Sequence, residues 1–416
     1  MVSGKYINIA GEQFYEIRNY DRMQPFFISL ASDTDLWMYL SSTGGLSCGR
    51  RSPDFALFPY YTDDKITQNY SYTGSRTLVR LKSDSERSLI WEPFSVNNDA
   101  VFDIERRICK SVTGNAIIFE EKNNTVGLLF RYRWQPADRF GWVRTAYIEN
   151  IAGKPMELEL IDGLQNILPS GVNRQTQNVY STLVDAYKKT EQVDSKSLVL
   201  YRMEAIMVDK AEPSESLTCN TVYSLDSDGF TLLTSSQQLD AFRHGGVISP
   251  EPESKGVQGA YMLYRSMNMA AGESREWMFV MDVEKDAADV HQMLREIDKP
   301  DHKQIVLEAL QATTANLRCI VAHNDGLNPQ ATRRRMHATL PTCCSTLCAA
   351  ATMPMNTRFM LLTLLTMFRC LTMHCTNSTN RSSALCPNSC VVTNLRSVSS
   401  IVWIISCIAC SWSTCR

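Results

Sequence analysis

The chain has 416 residues, of which 44% are hydrophobic and 21% charged, with a formal charge of −2. That length allows two or three domains and a sizeable core, and the balance excludes a collagen-like, disordered or polybasic nucleic-acid-binding protein as a description of the whole. These averages blend two unlike texts. All 44 Asp and Glu fall at or before Asp325, the last lysine is Lys303, and ten of the 14 cysteines follow Asp325. Eight of the 42 basic residues, all arginine, lie in that tail, so the front carries −10 and the tail +8.

The opening text, MVSGKYINIAGEQ, lacks a basic start followed by an apolar run, so no secretory signal peptide is expected. Cys48, Cys109, Cys219 and Cys319 are widely spaced and fit reduced thiols, which predicts a cytoplasmic setting. The longest apolar run, near Ile401–Cys410, is too short and too interrupted to span a bilayer, so no membrane partner is expected.

Residues 1–283 read as strand after strand. Arg76–Leu81 and Met156–Ile161 alternate apolar and polar residues, the period of a half-buried strand. Ala116–Glu121 and Thr125–Trp134 flank Asn123-Asn124, a hairpin signal. Trp142–Asn150 and Met156–Asp162 flank Ala-Gly-Lys-Pro, and Tyr261–Met269 and Ser274–Val283 flank Ala-Ala-Gly-Glu; both pairs read the same way. One or two helical turns are predicted around Ser181–Lys188. No strand alternates with a long helical pattern, so the reading is an antiparallel β-sandwich rather than a parallel sheet. Trp91, Trp134, Trp142 and Trp277 fall in strand patterns and are assigned to the core.

At Ala287 the period changes. Val290, Met293, Leu294 and Ile297 share one helical face, and Val306, Leu307, Leu310 and Leu317 share the next. This predicts a helical linker over 284–325 after the sandwich of 1–283.

The remaining segment, 326–416, pairs Cys344 with Cys348, Cys386 with Cys390 and Cys407 with Cys410 at spacings open to zinc. A translation out of frame suits the missing Asp, Glu and Lys better, and no metal is expected. When each codon starts one base earlier, Cys343–Phe359 becomes compatible with VLFNVMRGGYDADEYTV. Met353-Pro354 then forces Ala and Met355-Asn356 forces Glu, so acids return to the text. The segment is expected to be an aberrant Cys/Thr-rich tail.

Several phrases carry a family likeness: FYEIRNYDRMQPFF from Phe14, SDTDLWMYLSSTGGLSCGR from Ser32, PDFALFPYYTDDKI from Pro53, TGSRT from Thr73, WEPFS from Trp91, DGLQNILPSGV from Asp162 and ESREW from Glu273. Over roughly 1–326 the text resembles the N-terminal part of bacterial proteins related to cellobiose phosphorylase, formerly glycosyltransferase family 36. The resemblance implies a galactose-mutarotase-like β-supersandwich, linker helices, an (α/α)6 barrel and a small β domain. It also implies inverting phosphorolysis of a β-glucoside to a sugar 1-phosphate, with inorganic phosphate as co-substrate and no other cofactor. The family's general acid and phosphate ligands belong to the barrel, so no catalytic residue is assigned here.

Saccharide contacts are sought instead. Tyr60, Tyr61, Asp63 and Asp64 combine aromatic rings for sugar C–H faces with carboxylates for hydroxyls. The same text fits a strand end whose tyrosines pack and whose aspartates cap a turn. Gln165 and Asn166 either face a ligand or satisfy buried backbone groups. Asp33 and Asp35 beside Trp37 suggest a glycosidase pair but read more simply as turn residues. The histidines are expected in surface or capping roles, and Thr43-Gly44-Gly45 is too short for a phosphate loop. Two rivals remain. One is a stand-alone oligosaccharide-binding or scaffold module. The other is a mutarotase-like enzyme, for which the strand patterns offer no convergent histidine and carboxylate set.

Overall fold

A computed structural model describes residues 1–81, 89–194, 196–205 and 216–325. The tail, with its paired cysteines, lies outside the described residues.

Three antiparallel sheets of eleven, five and three strands carry the fold. The large sheet runs, edge to edge, Ser3–Ile9, Glu12–Arg18, Ile104–Ser111, Ile117–Asn123, Leu128–Ala137, Gly141–Asn150, Ser274–Lys285, Cys219–Leu225, Val199–Met203, Lys188–Gln192 and Glu253–Lys255. The second sheet orders Thr231–Ser235, Gly259–Met269, Met156–Ile167, Gly74–Leu81 and Leu89–Trp91. The third is the meander Phe27–Leu30, Leu36–Ser41, Leu46–Arg50. The architecture is the mainly antiparallel sandwich expected from the alternating text.

Period-2 alternation explains the layering. In Leu128–Ala137, Phe130, Tyr132 and Trp134 enter the main core. Arg131 and Arg133 point away, toward Tyr147 and Glu12. Leu158, Leu160 and Leu164 of the second sheet and Met38 and Leu40 of the third complete that core. All four assigned tryptophans are buried in it. An ionic pin joins the large sheet to the second. The Arg144 guanidinium donates to both oxygens of Asp162 at 2.8 and 2.9 Å, and Thr77 and the Trp277 indole donate to the same carboxylate. Within the large sheet Glu121 receives Arg106 from the adjacent strand, and the Trp91 indole of the second sheet donates to the same carboxylate. With both partners buried, each charge is tolerated because it is paired and hydrogen-bonded.

Two expected hairpins are not hairpins. Gly141–Asn150 belongs to the large sheet and Met156–Ile167 to the second, while Gly259–Met269 and Ser274–Lys285 also lie in different sheets. Their short connections arch across the sandwich. Asn150 binds the two arches together: its side-chain amide donates to the carbonyls of Lys154, Met269 and Ala270. The Asn123-Asn124 turn does join paired neighbours, with Leu128 opposite Asn123.

The helices Ala287–Ile297 and His302–Asp325 pack on the outer face of the large sheet. Val306 and Leu310 meet Val143, Tyr223, Leu225, Met278 and Val280, with Val290, Met293, Leu294 and Ile297 packed alongside. Asp286 and Asp289 form a capping box at the first helix. His302–Ala322 is long and apolar enough to cross a membrane by length and composition. Its stripe Val306, Leu310, Leu317 and Val321 is buried in this fold. His302, expected in a surface or capping role, opens its helix but is not at the surface. It is 3% exposed, lies 2.9 Å from the Tyr223 hydroxyl and meets Phe140 edge-on. No disulfide joins the four front cysteines, and burial pushes the Cys109 and Cys219 thiols up to about 12.

Candidate functional site

An open groove of about 420 Å³ lies between the segment ending in Tyr60-Tyr61-Thr62, the short helix Asp63–Gln68 and the helix Arg174–Asp185. Gly45 lets the short helix sit close, because a Cβ there would collide with the Ile66 carbonyl oxygen. The longer helix starts earlier than the predicted Ser181. Asn173 caps it by accepting the Thr176 N–H at 2.8 Å. The polar text that follows shows no apolar period, which is why the start was not visible.

The two tyrosines form one wall. Tyr60 meets the buried Trp37 edge-on at 5.8 Å. Tyr61 is pushed up in pKa by burial, against hydrogen bonds to Asn166 and Thr73 that pull it down. Asn166 stands at a β-bulge, where the register against Gly259–Met269 slips, and adopts φ 59°. Its amide donates to the Thr73 hydroxyl at 2.9 Å, and the neighbouring Gln165 amide donates to the Ser71 carbonyl at 2.7 Å. Both are nearly fully buried behind the tyrosines, which makes them the supports of Tyr61 and of the 71–73 segment.

The aspartates divide. Asp64 accepts the Thr62 hydroxyl at 2.6 Å in the first turn of the short helix, and that bond, with the Lys65 N–H, lowers its pKa. The Asp63 side chain lies outside the described ones. Asp33 and Asp35 do not act as a pair: Asn316 donates to Asp33, while Arg50 binds Asp35 and Asp282 together. Sequence reasoning missed the opposite wall, where Lys65, Arg174, Gln175 and Asn178 line the groove. Gln175 and Asn178 are three apart, one helical face, and only the helix assignment would have found them. The groove thus offers flat aromatic surface on one side and amide and cationic donors on the other, the chemistry that contacts hydroxylated rings.

No known protein family and no curated protein matches the chain. Among solved structures, a bacterial glucoamylase complexed with acarbose is 8% identical, with TM-score 0.33, across 76% of this chain and 39% of that one. One assigned as a kojibiose phosphorylase from the human microbiome is 9% identical, with TM-score 0.33, across 65% and 31%. One assigned as an aldose 1-epimerase from Klebsiella pneumoniae is 11% identical, with TM-score 0.32, across 72% and 92%. The chain therefore spans well under half the length of the first two.

Proposed function

We propose that this chain is the carbohydrate-associated sandwich of a glycoside-phosphorylase-like protein, and that the Tyr60–Tyr61 groove holds part of an oligosaccharide of β-glucan or cellobiose type. The observation that carries this reading is the braced aromatic wall. Tyr60 is backed by Trp37, and Tyr61 is held by Asn166 and Thr73, so both rings are ordered before a ligand arrives. In this reading the chain binds in the cytoplasm without a membrane or nucleic-acid partner, and phosphorolysis belongs to a barrel encoded in the other frame. A stand-alone binding module is the second reading. It is favoured by the way the helices 287–325 close the outer sheet face with their own apolar stripe.

Calorimetric titration with cellobiose and longer cello-oligosaccharides tests the groove. Binding is expected to weaken about tenfold in Tyr60→Ala, the loss of one ring contact. Unchanged affinity in that variant, or no binding by any member of the series, overturns the assignment.

A further inference from the structure

A second cavity, of about 160 Å³, lies on the outer face of the large sheet beneath the helix Ala287–Ile297. Its floor is the outward side of two neighbouring strands: Thr221 and Tyr223 on one, Val280 and Asp282 on the other. Glu296 and Gln292 face it from the helix, and His302 closes one end. The cavity has room for about five waters and is too polar to stay dry.

Its cations are already matched, and the exposed Asp289 carboxylate, which has no cationic partner among the described residues, accepts the Asp286 N–H in the capping box. Arg139 donates to both oxygens of Glu296 at 2.8 and 2.9 Å, and Gln292 donates to the same carboxylate. Asp282 is bound by Arg50 and by Lys285. An anionic ligand would have to break one of these pairs, whereas a neutral one need only use their remaining lone pairs and N–H groups. One group is left over. The Thr221 hydroxyl is fully buried on the cavity floor and has no hydrogen-bond partner, a cost that a ligand hydroxyl would remove. Val280 and Met293 supply apolar wall.

We infer that this cavity is a binding site for a small neutral polyhydroxyl compound of monosaccharide size, held through the Thr221 hydroxyl and separate from the Tyr60–Tyr61 groove. It needs neither that groove nor the phosphorylase reading. A ligand this small binds with a dissociation constant on the order of 1 mM.

The test is ligand-observed NMR on the full 416-residue chain with glucose, galactose, mannose, glycerol and glucose 1-phosphate. Saturable binding of at least one neutral monosaccharide is expected. Thr221→Val should weaken it about tenfold, Thr221→Ser should retain it, and Tyr60→Ala should leave it unchanged. Absence of saturable monosaccharide binding overturns the inference, as does binding of glycerol alone. Binding confined to glucose 1-phosphate overturns the neutral-ligand assignment. Equal binding by the Thr221→Val and parent chains, with circular dichroism matching, overturns the role of Thr221.

Discussion

His302 illustrates how burial turns an ordinary side chain into a pH-dependent one. Desolvation between Tyr223 and Phe140 lowers its pKa below the usual 6.5; Glu296 and Asp301 pull it up, and Arg139 and Lys299 push it down. A base with a depressed folded pKa stays neutral in the native state while the unfolded chain takes a proton. Stability is therefore complete above about pH 6.5 and falls as pH drops from there toward the lower folded value, by up to about 1.4 kcal/mol per pH unit. Urea unfolding of His302→Gln should lose this component between pH 7 and pH 5. A slope equal to that of the parent chain would place the dependence elsewhere. The tyrosines were legible in the sequence because PYYTDD is a local text. The supports were not, because Asn166 and Thr73 reach Tyr61 only once distant segments have paired.

At the scale of elements, the same turn text serves two outcomes. Asn123-Asn124 joins paired strands, whereas the connections after Asn150 and after Met269 carry the chain across the sandwich. Asn150 makes the difference visible, since its buried amide satisfies carbonyls from both arches. Asn150→Ala removes a donor from each of those carbonyls, of which Ala270 still accepts the Glu273 N–H, each unmet buried group costing about 1–3 kcal/mol. The expected result is destabilisation of about 2 kcal/mol with the m-value unchanged, measured by denaturant unfolding. A loss under about 1 kcal/mol would mean that water replaces the amide. The helices were easier to read. Val290, Met293, Leu294 and Ile297 lie at helical spacing, and that stripe is the face the sheet covers. The helix Arg174–Asp185 was read short because its first turns are polar on all sides.

For the whole molecule, binding and turnover separate. Phosphorolysis needs phosphate, an anomeric carbon and a general acid held in one enclosed site, and the groove is open, with Asp64 committed to Thr62. The purified 416-residue chain is expected to release no glucose 1-phosphate from cellobiose or longer β-glucans with inorganic phosphate present. Measurable turnover abolished by Asp35→Asn would relocate the active site to the Arg50 cluster.

The sequence by itself determined the antiparallel β class, the amphipathic helices and the break in composition at Gly326. Each is written in local periodicity or in residue counts, which need no partner to be read. Tertiary structure alone decided which strands share a sheet, where Arg144 meets Asp162, and that an aromatic groove and a polar cavity form with no lining residue in common. Alternation records that a strand has a buried side but not what covers it. That choice is made by contacts between residues far apart in the chain, whose closure entropy is repaid only when the sheets pack together.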